Sequence, residues 1–117
     1  MQSDRLSKPV ARILTDTQNE LWLSPVSIWE LTLLCRKGRF RVDPDIPSWV
    51  QKSTADLRMV EAPLTTEVTL ATSSISLSHG DPADHFLAAS AKVFDLTLIT
   101  ADERLLALSE IRVLANR

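Results

Sequence analysis

Glycine occurs only twice and cysteine only once in 117 residues. No apolar run approaches the ~18 residues that a membrane-spanning helix needs. Two isolated glycines cannot build a phosphate-cradling loop, so a P-loop or a dinucleotide fingerprint is excluded. A single thiol, Cys35, rules out an intrachain disulfide and a cysteine-rich zinc site, the usage expected of a reducing cytosol. Surplus positive charge is missing too: 13 Lys and Arg stand against 15 Asp and Glu, a formal charge of −2. Polyanion binding must therefore come from a local basic patch or from bound metal. Met1 to Val10 is polar, unlike a secretory leader, and a soluble cytoplasmic protein without membrane contact is expected. What remains is globular: 44% apolar and 24% charged residues with six prolines, enough for one domain over residues 1–117 with a real core.

Along the chain, short apolar runs alternate with helix signals. Ser7 to Leu14 reads as a helix tail followed by a polar turn. Glu20 to Leu23 (ELWL) reads as a strand feeding a helix, with Ser24 as N-cap, Pro25 at the first helical position, and Gly38 as the stop. Asp45-Ile46-Pro47 opens another helix through Trp49 and Val50, and Arg58 to Glu61 is a second strand. Thr65 to Ile75 reads as helical, Leu77 to Gly80 as an exposed connection, and Asp81-Pro82 as a further helix start. Leu96 to Ile99 (LTLI) is a third strand. Thr100-x-x-Glu103 has the form of a capping box, and Ile111 to Leu114 is a fourth strand. This alternation predicts an α/β fold, a parallel sheet covered by helices on both faces.

Ligands of such sheets bind beyond the carboxyl ends of the strands, so acids placed there are informative. Glu30 on the second turn after the first strand, Asp84 at the third position of the Asp81-capped helix, and Asp102 just past the third strand all qualify. Carboxylates converging from separate segments suit Mg²⁺ or Mn²⁺ and metal-assisted phosphodiester hydrolysis. Each also has a plainer account: Glu30 could be a surface charge, and Asp84 and Asp102 fall in helix first turns that favour acids; Asp81 beside them is explained as an N-cap, with support of the site the lesser role. His79 and His85 lack the spacing of a helical zinc pair. His85 is placed at the mouth of the cleft in reach of phosphate. Arg36 and Lys37 could position an RNA backbone, although a helix C-terminus accounts for them without a ligand. Trp22, Trp29 and Trp49 are expected in the core or an interface, Cys35 is expected to be a buried thiol, and Ser24, Ser27 and Thr100 fit helix-capping roles.

Three stretches in order, Ser24-Pro25-Val26-Ser27-Ile28-Trp29-Glu30, His79-Gly80-Asp81-Pro82-Ala83-Asp84-His85 and Leu98-Ile99-Thr100-Ala101-Asp102-Glu103-Arg104, resemble the PIN domain family, and within it the VapC-type toxins of toxin–antitoxin pairs. The resemblance runs from Arg5-Leu6-Ser7 to the last strand. It implies a PIN-like three-layer fold and a ribonuclease in which Glu30, Asp84 and Asp102 are catalytic and bind Mg²⁺ or Mn²⁺. It places Thr100 beside the last of those acids and implies a cognate VapB-like antitoxin peptide; Asp81 and Ser27 are further candidates to support the acids. Gly80 and His85 stand where that branch often has arginines. The family's first strand, which ends in an aspartate and lies at the centre of a sheet ordered 3-2-1-4-5, has no counterpart before Arg5. An N-terminally incomplete domain is therefore expected, from a late start, a true truncation, or a sheet rearranged so that ELWL pairs with LTLI or borrows a strand. Open central edges also predict a homo-oligomer. A catalytically impaired homologue that binds an antitoxin or self-associates is the alternative to an active nuclease. A receiver-like domain would need a lysine after its last strand, and Ile111 to Arg117 has none.

Overall fold

The computed structural model describes residues 8–77 and 81–116. Arg5, Leu6 and Ser7 of the first matched segment, and Ser78, His79 and Gly80 of the exposed connection, lie outside the described residues.

Helix α1 (Lys8–Thr15) precedes strand β1 (Trp22–Leu23) and helix α2 (Pro25–Arg36). The start of α2 follows the sequence signal: Ser24 is extended and its hydroxyl accepts the Val26 N–H, with proline at the first helical position, where no N–H is needed. Its end is a Schellman motif. Gly38 has φ +71°, its N–H bonds the Cys35 carbonyl at 3.1 Å, and the Arg39 N–H bonds the Leu34 carbonyl at 3.0 Å. Helix α3 (Ile46–Asp56) starts where Asp45 accepts the Ser48 N–H and leads to strand β2 (Val60–Glu61). Helix α4 (Thr66–Ala71) is prolonged by a 3₁₀ turn (Thr72–Ser74), and α5 (Pro82–Val93) is capped by Asp81. Strand β3 (Thr97–Thr100), helix α6 (Glu103–Leu106) and strand β4 (Arg112–Ala115) complete the order.

Among the described residues four strands, all in parallel pairs and flanked by helices, make the α/β fold that was expected. The strands form two short parallel sheets rather than one continuous sheet. Among the described residues β1 pairs only with β2 (Trp22 with Val60) and β3 only with β4 (Thr97 with Arg112, Thr100 with Ala115). ELWL and LTLI are therefore not ladder partners. The Leu21 and Leu23 carbonyls accept from Val60 and Ala62, and strand alternation turns the main-chain groups of Trp22 towards the opposite edge. Among the described residues each strand keeps one edge outside a ladder.

The largest buried cluster, Val68, Ile75, Ala88, Ala89, Leu105 and Leu108, belongs to the β3–β4 half and is ringed by Phe86, Phe94, Leu98 and Ile111. Helix α2 packs on α5, and Trp22 stacks obliquely on Phe94 with ring centroids 5.4 Å apart. Several local expectations are corrected. Val26 is the one buried residue of α2 and Cys35 is only half-buried; of the two places expected for Trp29, the core is ruled out by its exposure. The capping box is also displaced: the N-cap of α6 is Asp102, not Thr100. Thr100 is still extended in the ladder, and its Oγ1 accepts the Asp102 N–H at 3.1 Å, which leaves the stronger carboxylate acceptor to cap the helix.

Candidate active site

The predicted acids arrive on three elements. Glu30 projects from the second turn of α2, one turn beyond Ser27. Asp84 sits in the first turn of α5 and is only 6% exposed. Asp102 stands at the junction of β3 and α6, with Thr100 behind it. The packing of α2 against α5 brings the first two together, and the effect is electrostatic. Glu30 is held above the usual carboxylate range first by burial, then by the negative charges of Asp84 and Asp81. Asp81 contributes that charge while its Oδ1 caps α5 by accepting the Ala83 N–H at 3.0 Å.

Asp102 joins this pair through a cation. Its carboxylate takes the Arg104 guanidinium side-on, Nε to Oδ1 at 3.2 Å and Nη2 to Oδ2 at 3.0 Å, and the same Nη2 lies 4.0 Å from Asp84 Oδ2. One guanidinium thus bridges two of the three predicted acids. Nothing but its place in the last matched stretch, two residues after Asp102, marked Arg104 beforehand, and its bridging role emerges only in three dimensions. His85 is half-buried one residue after Asp84, its Nδ1 2.9 Å from the Asp81 carbonyl. Arg36 and Lys37 are exposed at the far end of α2, about 9 Å along the helix from Glu30 at 1.5 Å per residue.

Among the described residues no group of three His, Cys, Asp or Glu side chains is gathered tightly enough to hold a metal ion. Glu30 and Asp84 nevertheless fit a hard divalent cation. A nearly buried carboxylate repels a second one, and the nearest guanidinium is shared with Asp102. Mg²⁺ commonly needs only one or two protein carboxylates, the remaining positions going to water and substrate phosphate.

A feature the sequence did not announce lies alongside. Pro25, Val26 and Trp29 of α2 face Pro82, Ala83 and Phe86 of α5 across a groove of about 300 Å³ closed at one side by Leu64. No helix among the described residues is long and apolar enough to cross a membrane.

No curated protein sequence shows a significant match to the chain. A family model described as the PIN domain matches residues 2–111, nearly the whole chain, and the chain belongs to the PIN domain family.

Proposed function

We propose that this chain is a metal-dependent endoribonuclease of the VapC toxin type, hydrolysing RNA phosphodiester bonds at the Glu30–Asp84–Asp102 cluster. PIN domains are generally metal-dependent nucleases that act on RNA. The observation that carries the reading for these residues is the pairing of buried Asp84 with Glu30, whose carboxyl is raised by burial and by that neighbour. Such a pair is an unfavourable arrangement for a structural role and a favourable one for a cation. Glu30 and Asp84 would hold Mg²⁺ or Mn²⁺, with Asp102 linked to Asp84 through Arg104. The metal supplies charge neutralisation at the phosphate and an activated water.

The chain's own residues do the positioning. Asp81 and the first turn of α5 fix Asp84, Thr100 fixes the Asp102 backbone, and Arg104 orients the Asp102 carboxylate. His85 stands beside Asp84 for a phosphate oxygen, and Ser27 lies one turn before Glu30. Arg36 and Lys37 would meet RNA only at a distance from the scissile bond. A cognate antitoxin peptide, a homo-oligomer and a cytoplasmic location complete the reading.

The test is cleavage of single-stranded RNA in Mg²⁺ or Mn²⁺. Activity is expected, and it should fall to background in EDTA and in Asp84→Asn; cleavage indifferent to both would reject the proposal. One observation favours an impaired homologue that only binds antitoxin or itself, namely the engagement of Asp102 by Arg104 at 3.0 Å. Robust multiple turnover by this chain would refute that alternative.

A further inference from the structure

Trp29 is 51% exposed and Leu64 42% exposed, and both border the apolar groove between the first turns of α2 and α5. We infer that this groove seats a nucleobase of the RNA strand next to the scissile phosphate, with Trp29 and Phe86 as its aromatic walls. The inference rests on the nuclease reading and adds to it the part of the substrate recognised beside the acids.

Placement is the first reason. Trp29 is one residue from Glu30 and Ala83 one residue from Asp84, so the groove is built by the same helical turns of α2 and α5 that carry the two carboxylates. Charge is the second. The groove lining has no ionisable side chain, while Glu30 feels the charges of Asp84 and Asp81, and Arg104 those of Asp102, Asp84 and Asp81. A bare phosphate is repelled there, whereas an uncharged base can enter while its phosphate is drawn to cation-bound acids.

The rim supplies a third reason. Pro82 and Phe86 also line a second hollow of about 280 Å³, shared with Thr72 and His85. The His85 ring is held there by the Asp81 carbonyl at 2.9 Å. An apolar floor passing into a hydroxyl and an imidazole matches a base, which has π-faces and polar edges. The apolar anchor of a partner peptide needs only the floor. Sequence-tolerant stacking of unpaired bases on aromatic side chains is the usual way proteins take hold of single-stranded RNA.

The experiment uses the full chain with Trp22→Phe and Trp49→Phe, so that Trp29 is the one fluorophore. It is titrated in Mg²⁺ with single-stranded oligoribonucleotides and with abasic oligomers of the same length. Trp29 emission is expected to be quenched by the former and not by the latter. In the otherwise unchanged protein, Trp29→Ala should weaken RNA binding roughly 5- to 150-fold, Trp29→Phe should keep most of the affinity, and neither should shift the thermal midpoint. Any RNase activity should lose Trp29→Ala in KM before kcat. Unchanged emission at saturating RNA, equal affinity for abasic oligomers, or a concentration-dependent dimer that buries Trp29 without RNA would overturn the inference. Base-dependent quenching without cleavage would uphold the seat while removing the nuclease; metal-dependent cleavage indifferent to Trp29→Ala would do the reverse.

Discussion

Adding Mn²⁺ or Mg²⁺ to the chelated protein should raise its thermal midpoint, and the rise should vanish in Glu30→Gln and in Asp84→Asn. A cation that binds only the folded state stabilises it by mass action, about 2.7 kcal/mol at one hundred times its dissociation constant. For 117 residues, unfolding entropy near 2.1 cal/mol/K per residue gives about 0.25 kcal/mol per degree, so the midpoint should move by about 11 °C. The electrostatics add a second signature. Burial and the charges of Asp84 and Asp81 raise the Glu30 pKa. Stability from its protonated form is therefore complete below the ordinary glutamate range and is lost as pH rises through the raised value. In EDTA, Glu30→Gln should then be the more stable protein at neutral pH and equal to the parent in acid. In saturating metal the order should invert. Differential scanning fluorimetry of the three proteins from pH 4 to 8, with and without cation, reads both signatures. A cation-induced shift that persists in both variants, or none in the parent at millimolar cation, would refute the assignment of this pair as a metal site.

Three further outcomes follow from the fold. Ser24→Ala removes the acceptor of the buried Val26 N–H at 3.1 Å and should cost about 1 kcal/mol, some 4 °C in the melting midpoint. Leu105→Ala empties a position only 2% exposed in the main cluster; a loss of about 2–5 kcal/mol is expected, and a shallow change in the urea midpoint would show that the cluster repacks. Glu110 accepts the Ser76 N–H at 2.7 Å, and that backbone bond holds its carboxyl below the usual range. Its contribution is present above the ordinary glutamate pKa and lost as pH falls through the lowered one, so Glu110→Gln should flatten the acid limb of the stability profile.

Helix starts were the most legible part of the fold, because Ser24-Pro25, Asp45-Ile46-Pro47 and Asp81-Pro82 each combine a side-chain acceptor with a proline that needs no N–H. All three caps form as read. Thr100 was misread because the same hydroxyl-to-backbone bond that caps a helix also closes a turn at a strand end, and Asp102 two residues later is the better acceptor. Exposure was harder to foresee. Trp29 lies among apolar neighbours in sequence, yet α2 buries only Val26, since the β1–β2 pair is two residues long and offers a helix little surface to cover. At the proposed site, motif order alone singled out Glu30, Asp84 and Asp102 as candidates. Neither the Arg104 bridge nor the groove could be read that way, because each depends on how the first turns of α2 and α5 and the end of β3 come together.

The division of the strands into two pairs makes the candidate site a property of neither half. Glu30 rides with β1 and α2, while Asp84, Asp102 and Arg104 ride with α5, β3 and α6. No ladder hydrogen bond joins the two pairs among the described residues; the union is made by side chains, α2 on α5 and the Trp22–Phe94 stack. Side-chain contacts yield more readily to sliding than a shared ladder does. The distance between the two acids is therefore set by how firmly the halves close, and a cation gripping both would act as a clasp. Ion affinity then becomes a gauge of closure, and loosening the Trp22–Phe94 contact, whose rings lie at least eight residues in sequence from each of the three acids, would be felt as a weaker hold on metal.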